Sequence, residues 1–117
     1  MHRLFVYGTL RRGGDNRFAR LLSERGQFIR AARVPGRLYD LGRYPGARPA
    51  DQPNQWILGE IFYLPEPAAL LAVLDDYEGA EFERAMVSTA EKLDCWIYWY
   101  VGAEMGRLIA SGDWFNR

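Results

Sequence analysis

Apolar residues recur at helical intervals of three and four residues in two segments of the sequence, and short extended runs occupy much of the remaining chain. The first helix is expected to begin at a cap formed by Asp15 or Asn16 and to end at Gly26. The second, within residues 65–79, opens with prolines, which a first helical turn tolerates, and stops at a glycine. The order strand, helix, strand, strand, helix, strand, strand predicts the α+β class.

The extended segments are short, and glycine or proline interrupts them. We predict strands at residues 4–7, 27–41, 55–64, 82–90 and 95–101. Pro35 and Gly36 mark a bulge or bend in the second segment. The short connection 91–94 joins the last two strands as a hairpin. We therefore expect one small domain, residues 1–117, with a mixed sheet that curls towards a barrel and two main helices.

Residues 42–54 contain three prolines and two glycines, which is typical of a surface loop. A loop of this length in a compact domain is often functional. We expect this segment to lie beside any binding site and to influence what binds there.

Composition excludes some classes of function. The number of Lys and Arg residues equals the number of Asp and Glu residues, so the formal net charge is zero. This balance argues against nucleic-acid binding by overall charge, but it does not exclude a local basic patch. No apolar run reaches the roughly 20 residues of a membrane helix, and the N-terminal run before Gly8 is too short for a signal peptide. With a single cysteine, Cys95, and a single histidine, His2, we expect a cytoplasmic protein without a metal or cofactor.

A sharp turn is expected at Tyr7, Gly8, Thr9 and Leu10, directly after the first strand. Gly8 permits a positive φ, and successive N–H groups in such a turn can converge on one anion or oxyanion. Thr9 adds a hydroxyl donor. On the local pattern alone, a plain transition from strand to loop is the favoured interpretation, because such turns are common.

Carboxyl groups cluster at the end of the second predicted helix, where Asp75, Asp76 and Glu78 lie. The helix dipole and the like charges raise the pKa of whichever carboxyl is least exposed. A carboxyl with a raised pKa suits a general acid/base that works near neutrality. The alternative is a solvated acidic helix end, and we expect Asp75 and Asp76 to face water or cap backbone.

The two C-terminal strands carry further candidate site residues. Arg84 shares a strand face with Phe82, and an inward-facing arginine either pairs with an acid or binds a substrate carboxylate. Tyr98 either presents its hydroxyl to a cavity or packs in the core. Cys95 is expected to be a buried hydrophobe, and His2 is poorly placed as its base, so a cysteine or serine hydrolase is rejected.

Taken together, these pieces resemble the gamma-glutamylcyclotransferase-like superfamily, and in particular its small bacterial gamma-glutamylamine cyclotransferase-like subgroup. The resemblance covers nearly the whole chain and rests on the order and spacing of several fragments. They are residues 6–13 with Asn16, 36–42, 44–46, 58–62, 74–79 with Arg84 and Val87, and 109–114.

The resemblance implies a small α+β fold with a cavity at residues 7–10, where substrate binds, and Glu78 as the catalytic carboxyl. It implies an enzyme of the acyltransferase or lyase type that needs no cofactor. The α-amine of a γ-glutamyl group attacks its own γ-carbonyl, which releases 5-oxoproline and a free amine or amino acid. Phe82 is a departure, because relatives often have tyrosine there.

Two other functions remain open from the sequence. The cavity could belong to a non-catalytic module that binds a small carboxylate-bearing metabolite, or the domain could be purely structural, with Tyr39 or Tyr98 filling the cavity. Replacing Glu78 with glutamine separates these readings, because only the enzyme would lose turnover. The expected partner is a small γ-glutamyl substrate, with no nucleic acid or membrane, while the leaving group and the oligomeric state stay undetermined.

Overall fold

The computed structural model describes residues 1–104 and 106–117, which form two β-sheets and two α-helices. The elements in chain order are β1 (Arg3–Val6), α1 (Arg17–Arg25), β2 (Gln27–Pro35), β3 (Arg37–Asp40), β4 (Pro45–Arg48), β5 (Trp56–Tyr63), α2 (Pro67–Glu78), β6 (Phe82–Ser88), β7 (Asp94–Tyr100), β8 (Arg107–Leu108) and a 3-10 helix (Trp114–Asn116). This architecture confirms the α+β class.

The larger sheet has five strands in the order β2-β5-β1-β7-β6, with β1 at its centre. β1 is antiparallel to β5 and parallel to β7, so the sheet is mixed as predicted. Leu4, Phe5 and Val6 are all buried, because the two faces of β1 point into two different apolar cores. A strand that is covered on both faces has a continuous apolar sequence, and this pattern predicted the strand at residues 4–7.

The predicted extended segment 27–41 divides at Gly36 into β2 and β3, which belong to different sheets. A Cβ at Gly36 would lie 2.5 Å from Ile57 Cδ1, so glycine is required for this close approach at the bend. β3 pairs with β4 and β8 in a second sheet of three strands. The bend is therefore confirmed, and it leads to two sheets in place of a closed barrel.

The prediction of a loop throughout residues 42–54 is wrong for Pro45–Arg48, which form β4. This strand pairs antiparallel with β3 and lies at an edge of its sheet. Proline is tolerated as the first residue of an edge strand, where its missing N–H interrupts no ladder. The proline-rich composition therefore predicted a loop at a position where a short strand forms.

The hairpin of the two C-terminal strands is confirmed. β6 and β7 pair antiparallel from Phe82↔Tyr100 to Ser88↔Asp94. This register places Arg84 directly opposite Tyr98. Cys95 is a fully buried free thiol, as expected.

Both predicted helices are present. Asn16, and not Asp15, caps α1, since its Oδ1 accepts a hydrogen bond of 2.9 Å from the N–H of Ala19. α2 has Pro67 in its first turn and ends at Glu78, and Gly79 follows with a φ of 80°. Within residues 1–104 and 106–117, no helix is both long enough and apolar enough to span a membrane.

Candidate active site

A cleft of about 160 Å³ opens where the end of β1, the start of β4 and the end of α2 meet. It is smaller than the roughly 300–1,000 Å³ cavities that hold drug-sized ligands, so it suits a small polar group such as an amino acid. Its lining residues are Phe5, Val6, Tyr7, Gly8, Thr9, Leu10, Tyr44, Pro45, Tyr77, Glu78, Phe82 and Tyr98. The structure thus brings together six of the seven predicted site residues and leaves Arg84 outside.

Gly8 is required in the turn after β1 for a reason that differs from the expected one. Its φ is not positive, so left-handed backbone does not explain the glycine. A Cβ at this position would instead lie 2.5 Å from Pro45 Cγ and 2.8 Å from its Cδ. Glycine lets β4 approach the turn closely, and this contact closes one wall of the cleft.

The turn also presents unused backbone donors to the cleft. Among the residues that the structure describes, the N–H groups of Gly8, Thr9 and Leu10 donate to no protein acceptor. Gly8 and Leu10 are buried, and a buried N–H without a partner is costly. These donors are therefore suited to a ligand oxygen that carries negative charge.

Side chains from other parts of the fold hold this turn in place. Asn16 Nδ2 donates to the carbonyl of Thr9 at 2.7 Å, and the N–H of Arg12 donates to Glu60 Oε1 at 2.6 Å. Glu60 is a buried carboxyl on β5. No local pattern links Glu60 to the turn, because its partner Arg12 lies 48 residues away along the chain.

Glu78 is the last residue of α2, and its side chain is half-buried in the cleft wall. Burial raises the pKa of the Glu78 carboxyl from 4.5 to about 7. The direction agrees with the sequence prediction, but the cause is loss of water around the carboxylate and not the neighbouring acids. Near neutral pH the group is present in both protonation states.

Two buried tyrosines, Tyr7 and Tyr98, line the cleft. The hydroxyl of Tyr7 donates a hydrogen bond to the main-chain carbonyl of Tyr98. Burial, and secondarily the charge of Glu78, raises the pKa of Tyr7. Burial also raises the pKa of Tyr98, and the hydrogen bond to Asp75 adds to it. Both hydroxyls therefore stay protonated throughout the physiological pH range.

Arg84 is not free to bind substrate in this structure. Its Nε and Nη2 donate to the two carboxylate oxygens of Asp75, at 2.8 and 3.1 Å. Its guanidinium also lies over the ring of Trp96, 4.3 Å from the centroid. The expectation that Asp75 faces water or caps backbone is thus right only in part, because its side chain is 41% exposed but is also paired with Arg84. Asp76 is exposed as expected.

Six lining residues, all aromatic or apolar, were not among the site residues predicted from sequence: Phe5, Val6, Tyr44, Pro45, Tyr77 and Phe82. Tyr77 brings its hydroxyl to 3.2 Å from Thr9 Oγ1, and its ring stacks on Phe18. Tyr44 and Pro45 come from the segment 42–54, whose length was the signal for a functional role. Among residues 1–104 and 106–117, no group of three or more His, Cys, Asp or Glu side chains could hold a metal ion.

The fold and the cleft together define a class of protein, a small α+β domain whose cleft is lined both by a half-buried carboxyl and by a turn with unpaired backbone donors. Residues 4–116 match the family described as gamma-glutamyl cyclotransferase, AIG2-like. The chain therefore belongs to this family, as its sequence motifs implied.

Relatives and solved structures agree with this assignment. The chain is 37% identical over 122 residues to a putative gamma-glutamylcyclotransferase of Vibrio cholerae, covering 99% of this chain and 97% of that protein. It is 35% identical over 125 residues to the gamma-glutamylcyclotransferase family protein YtfP of Escherichia coli, with 98% and 97% covered. The solution NMR structure of ytfP from Escherichia coli is similar with a TM-score of 0.72 at 33% identity, over 97% of this chain and 96% of that one.

Proposed function

We propose that this protein releases 5-oxoproline and a free amine or amino acid from a small γ-glutamyl substrate. The observation that carries the proposal is the Glu78 carboxyl, whose pKa is about 7, in a cleft that also presents the unpaired N–H groups of residues 8–10. The family membership of the chain supports the same class of reaction.

In the proposed mechanism, Glu78 begins as a carboxylate and accepts a proton from the α-ammonium of the substrate. The freed amine attacks the γ-carbonyl carbon, so that a C–N bond forms and a five-membered ring closes. Glu78 then returns the proton to the leaving nitrogen as the old C–N bond breaks. The ring nitrogen loses its second proton to the departing amine or to water, so that the lactam is neutral and the amine leaves as an ammonium. A pKa near neutrality serves both steps, and such proton transfer contributes roughly a hundredfold or more.

The remaining requirement is to hold the γ-glutamyl chain folded. Fixing the amine against the carbonyl is worth up to roughly 7–11 kcal/mol, because the reaction is intramolecular. The free N–H groups of Gly8, Thr9 and Leu10 would bind either the α-carboxylate or the oxyanion that forms at the γ-carbon. No protein nucleophile is needed, which agrees with Cys95 being fully buried in the core.

We also propose that the segment 42–54 influences which leaving group is accepted. Tyr44 and Pro45 from this segment line the cleft, and Tyr44 packs against Phe82, with ring centroids 5.9 Å apart. An apolar rim at the cleft mouth would contact the amine part of the substrate. Removing the whole segment would also remove β4, so a single substitution at Tyr44 is the cleaner change.

The test is a 5-oxoproline release assay on a panel of γ-glutamyl-amines and γ-glutamyl dipeptides. We expect product from at least one class, and we expect Tyr44→Ala to alter the ranking of the leaving groups. An unchanged ranking would remove the proposal for Tyr44. Saturable binding of these compounds without any product would instead favour a non-catalytic binding module.

A further inference from the structure

A chain of hydrogen bonds links Arg84, Asp75 and Tyr98 at the edge of the cleft. Arg84 holds both oxygens of Asp75, and the hydroxyl of Tyr98 donates to Asp75 Oδ1 at 2.6 Å. Tyr98 is 4% exposed, and it lines the cleft, whereas Arg84 lies outside it. The chain of hydrogen bonds therefore connects a partly exposed arginine to a tyrosine that lines the cleft.

The direction of the bond between Tyr98 and Asp75 is fixed by the chemistry of the groups. An ionised carboxylate only accepts hydrogen bonds, and a tyrosine hydroxyl has a single proton to give. Burial opposes the charge on Asp75, but hydrogen bonds from Arg84 and Tyr98 outweigh it and hold the pKa of Asp75 below its usual value. The one proton of Tyr98 is therefore committed to Asp75, away from the cleft.

A hydroxyl whose proton is committed offers only its lone pairs to a ligand. Asp75 and Glu78 are three residues apart on α2 and so lie on the same face of the helix. Tyr98 and Glu78 both line the cleft, and the hydrogen bond to Asp75 holds the Tyr98 hydroxyl against the helix face that also carries Glu78. An ammonium group there has several N–H donors and needs more than one acceptor.

We propose that Tyr98 accepts a hydrogen bond from the substrate α-ammonium, and that Asp75 and Arg84 are positioning residues that orient the Tyr98 hydroxyl for this purpose. The arrangement selects γ-glutamyl compounds over the corresponding glutaryl compounds, which lack the α-amine. This inference rests on the proposed function, since it assumes that a γ-glutamyl group occupies the cleft. It assigns Arg84 a role through Asp75 in place of direct contact with substrate.

The test compares two ligands that differ only in the α-amine, namely L-γ-glutamyl-n-propylamide and glutaric acid mono-n-propylamide. Their dissociation constants are measured by calorimetry in an E78Q background, which prevents turnover. Adding Tyr98→Phe is expected to weaken the γ-glutamyl ligand roughly tenfold or more, because a charged donor loses its acceptor. Binding of the glutaryl ligand is expected to change by less than about twofold, because that ligand never used the acceptor.

A second variant tests the positioning role. Asp75→Asn keeps the size of the side chain but lets an amide N–H donate to the Tyr98 oxygen, which occupies its lone pair. We expect the same selective loss for the γ-glutamyl ligand. Asp76→Asn is the matched control, because Asp76 is exposed next to it on α2, and it should leave both ligands unaffected.

The outcomes separate the inference from the proposed function. Equal weakening of both ligands by Tyr98→Phe, or no weakening of either, would overturn the role of Tyr98 as the ammonium acceptor. Selective loss with Tyr98→Phe but not with Asp75→Asn would overturn the positioning role alone. If neither ligand binds to the wild type or to the E78Q chain, the proposed function itself fails.

Discussion

At the scale of single residues, the candidate active site holds a carboxyl in surroundings that disfavour its charge. Glu78 is half-buried, and loss of water raises its pKa to about 7. The protonated form is thus favoured in the folded chain relative to the unfolded one. Between pH 4.5 and about 7 the folded protein binds the extra proton, so this group lowers stability as the pH rises through that window.

Replacing Glu78 with glutamine should therefore stabilise the fold at alkaline pH. Above pH 7 we expect Glu78→Gln to raise the free energy of unfolding by up to about 3 kcal/mol, the magnitude that corresponds to the pKa difference. Below pH 4.5 the gain should vanish, because the wild-type carboxyl is then protonated in both states. Urea unfolding at pH 4 and pH 8 measures this difference.

Glu83→Gln is the matched control for this experiment, because Glu83 is an exposed carboxyl a few residues further along the chain. Its stability should follow the wild type at both pH values. A Glu78→Gln protein that is less stable than the wild type at pH 8 would show that the carboxylate makes favourable contacts and is not held in a strained, desolvated state.

The sequence predicted which residues meet in the cleft better than it predicted the physical reasons for their placement. Glu78 and the turn at residues 7–10 were predicted from motifs and local charge, and they line one cleft. The reason for Gly8 depends on Pro45, which lies far along the chain. The pairing of Asp75 with Arg84 and Tyr98 likewise requires the register of β6 and β7 and the packing of α2. Neither contact leaves a local signal.

At the scale of elements, the end of α2 positions Glu78. Gly79 has φ 80° and ψ −170°, a region of backbone conformation that is essentially restricted to glycine. The N–H of Gly79 donates to the carbonyl of Asp75 at 3.1 Å, which closes the last turn. The glycine therefore ends the helix sharply and fixes the direction in which the Glu78 side chain leaves it.

Substituting Gly79 with alanine should strain this ending. Nothing lies within 4 Å of the added Cβ, so the cost comes from the backbone alone and should be roughly 1–3 kcal/mol. Asparagine should cost about as much, because its tolerance for left-handed helical backbone does not extend to this ψ value. Urea unfolding measures the loss, and Ala80→Ser at the exposed neighbour is the control. An alanine variant of wild-type stability would contradict this account of the turn.

Element prediction succeeded where apolar spacing was strong and failed where strands were short. The helices and the hairpin of β6 and β7 follow from periodicity and from a short polar connection. β4 begins at a proline, and β8 has only two residues, Arg107 and Leu108, both exposed. Both strands form by pairing with β3. Their own sequences therefore do not predict them, because the hydrogen-bond partner lies elsewhere in the chain.

At the scale of the whole molecule, the C-terminal segment is bonded to the chain directly after the turn at residues 7–10. Arg11, which follows the turn, donates from Nη1 to Asp113 Oδ1 at 2.6 Å, and its guanidinium lies 4.2 Å from the ring centroid of Phe115. Arg11 Nε is buried and, within the described residues, has no hydrogen-bond partner, with Glu60 Oε2 at 3.9 Å. The arginine is therefore sensitive to losing its remaining partner.

Asp113→Asn should weaken this tie while preserving the shape of the side chain and its capping of the 3-10 helix. We expect a loss of roughly 1–3 kcal/mol in the free energy of unfolding, because a mostly buried guanidinium keeps its charge and loses the nearer of its two ionic partners, with only Glu60 remaining. A raised KM with little change in kcat should accompany it, since the turn would hold substrate less firmly. Steady-state kinetics and urea unfolding measure the two effects.

A surface ion pair provides the control for Asp113. Glu91 lies 3.3 Å from Arg30, and both side chains are about half exposed. Glu91→Gln should therefore cost less than about 1 kcal/mol and leave KM unchanged. If both variants behave alike, the C-terminal segment does not support the turn.

The arrangement of the whole molecule was the least predictable from sequence. The α+β class follows from the order of the elements, but the strand order β2-β5-β1-β7-β6 and the division into two sheets do not. These depend on contacts between distant segments, such as the N–H of Leu58 donating to the carbonyl of Gly112 at 2.8 Å. Such contacts form only once the larger sheet exists.

The central claim is that Glu78 moves the protons of a ring-closing release of 5-oxoproline. The most direct test measures 5-oxoproline formation at pH 8 by the wild type and by Glu78→Gln, on the best substrate of the γ-glutamyl panel. Binding of the glutaryl amide to both proteins would show that the cleft is intact. We predict product from the wild type and a loss of at least roughly a hundredfold in the variant. A variant that retains its rate, or a folded wild type that forms no product with any γ-glutamyl compound, would contradict the claim.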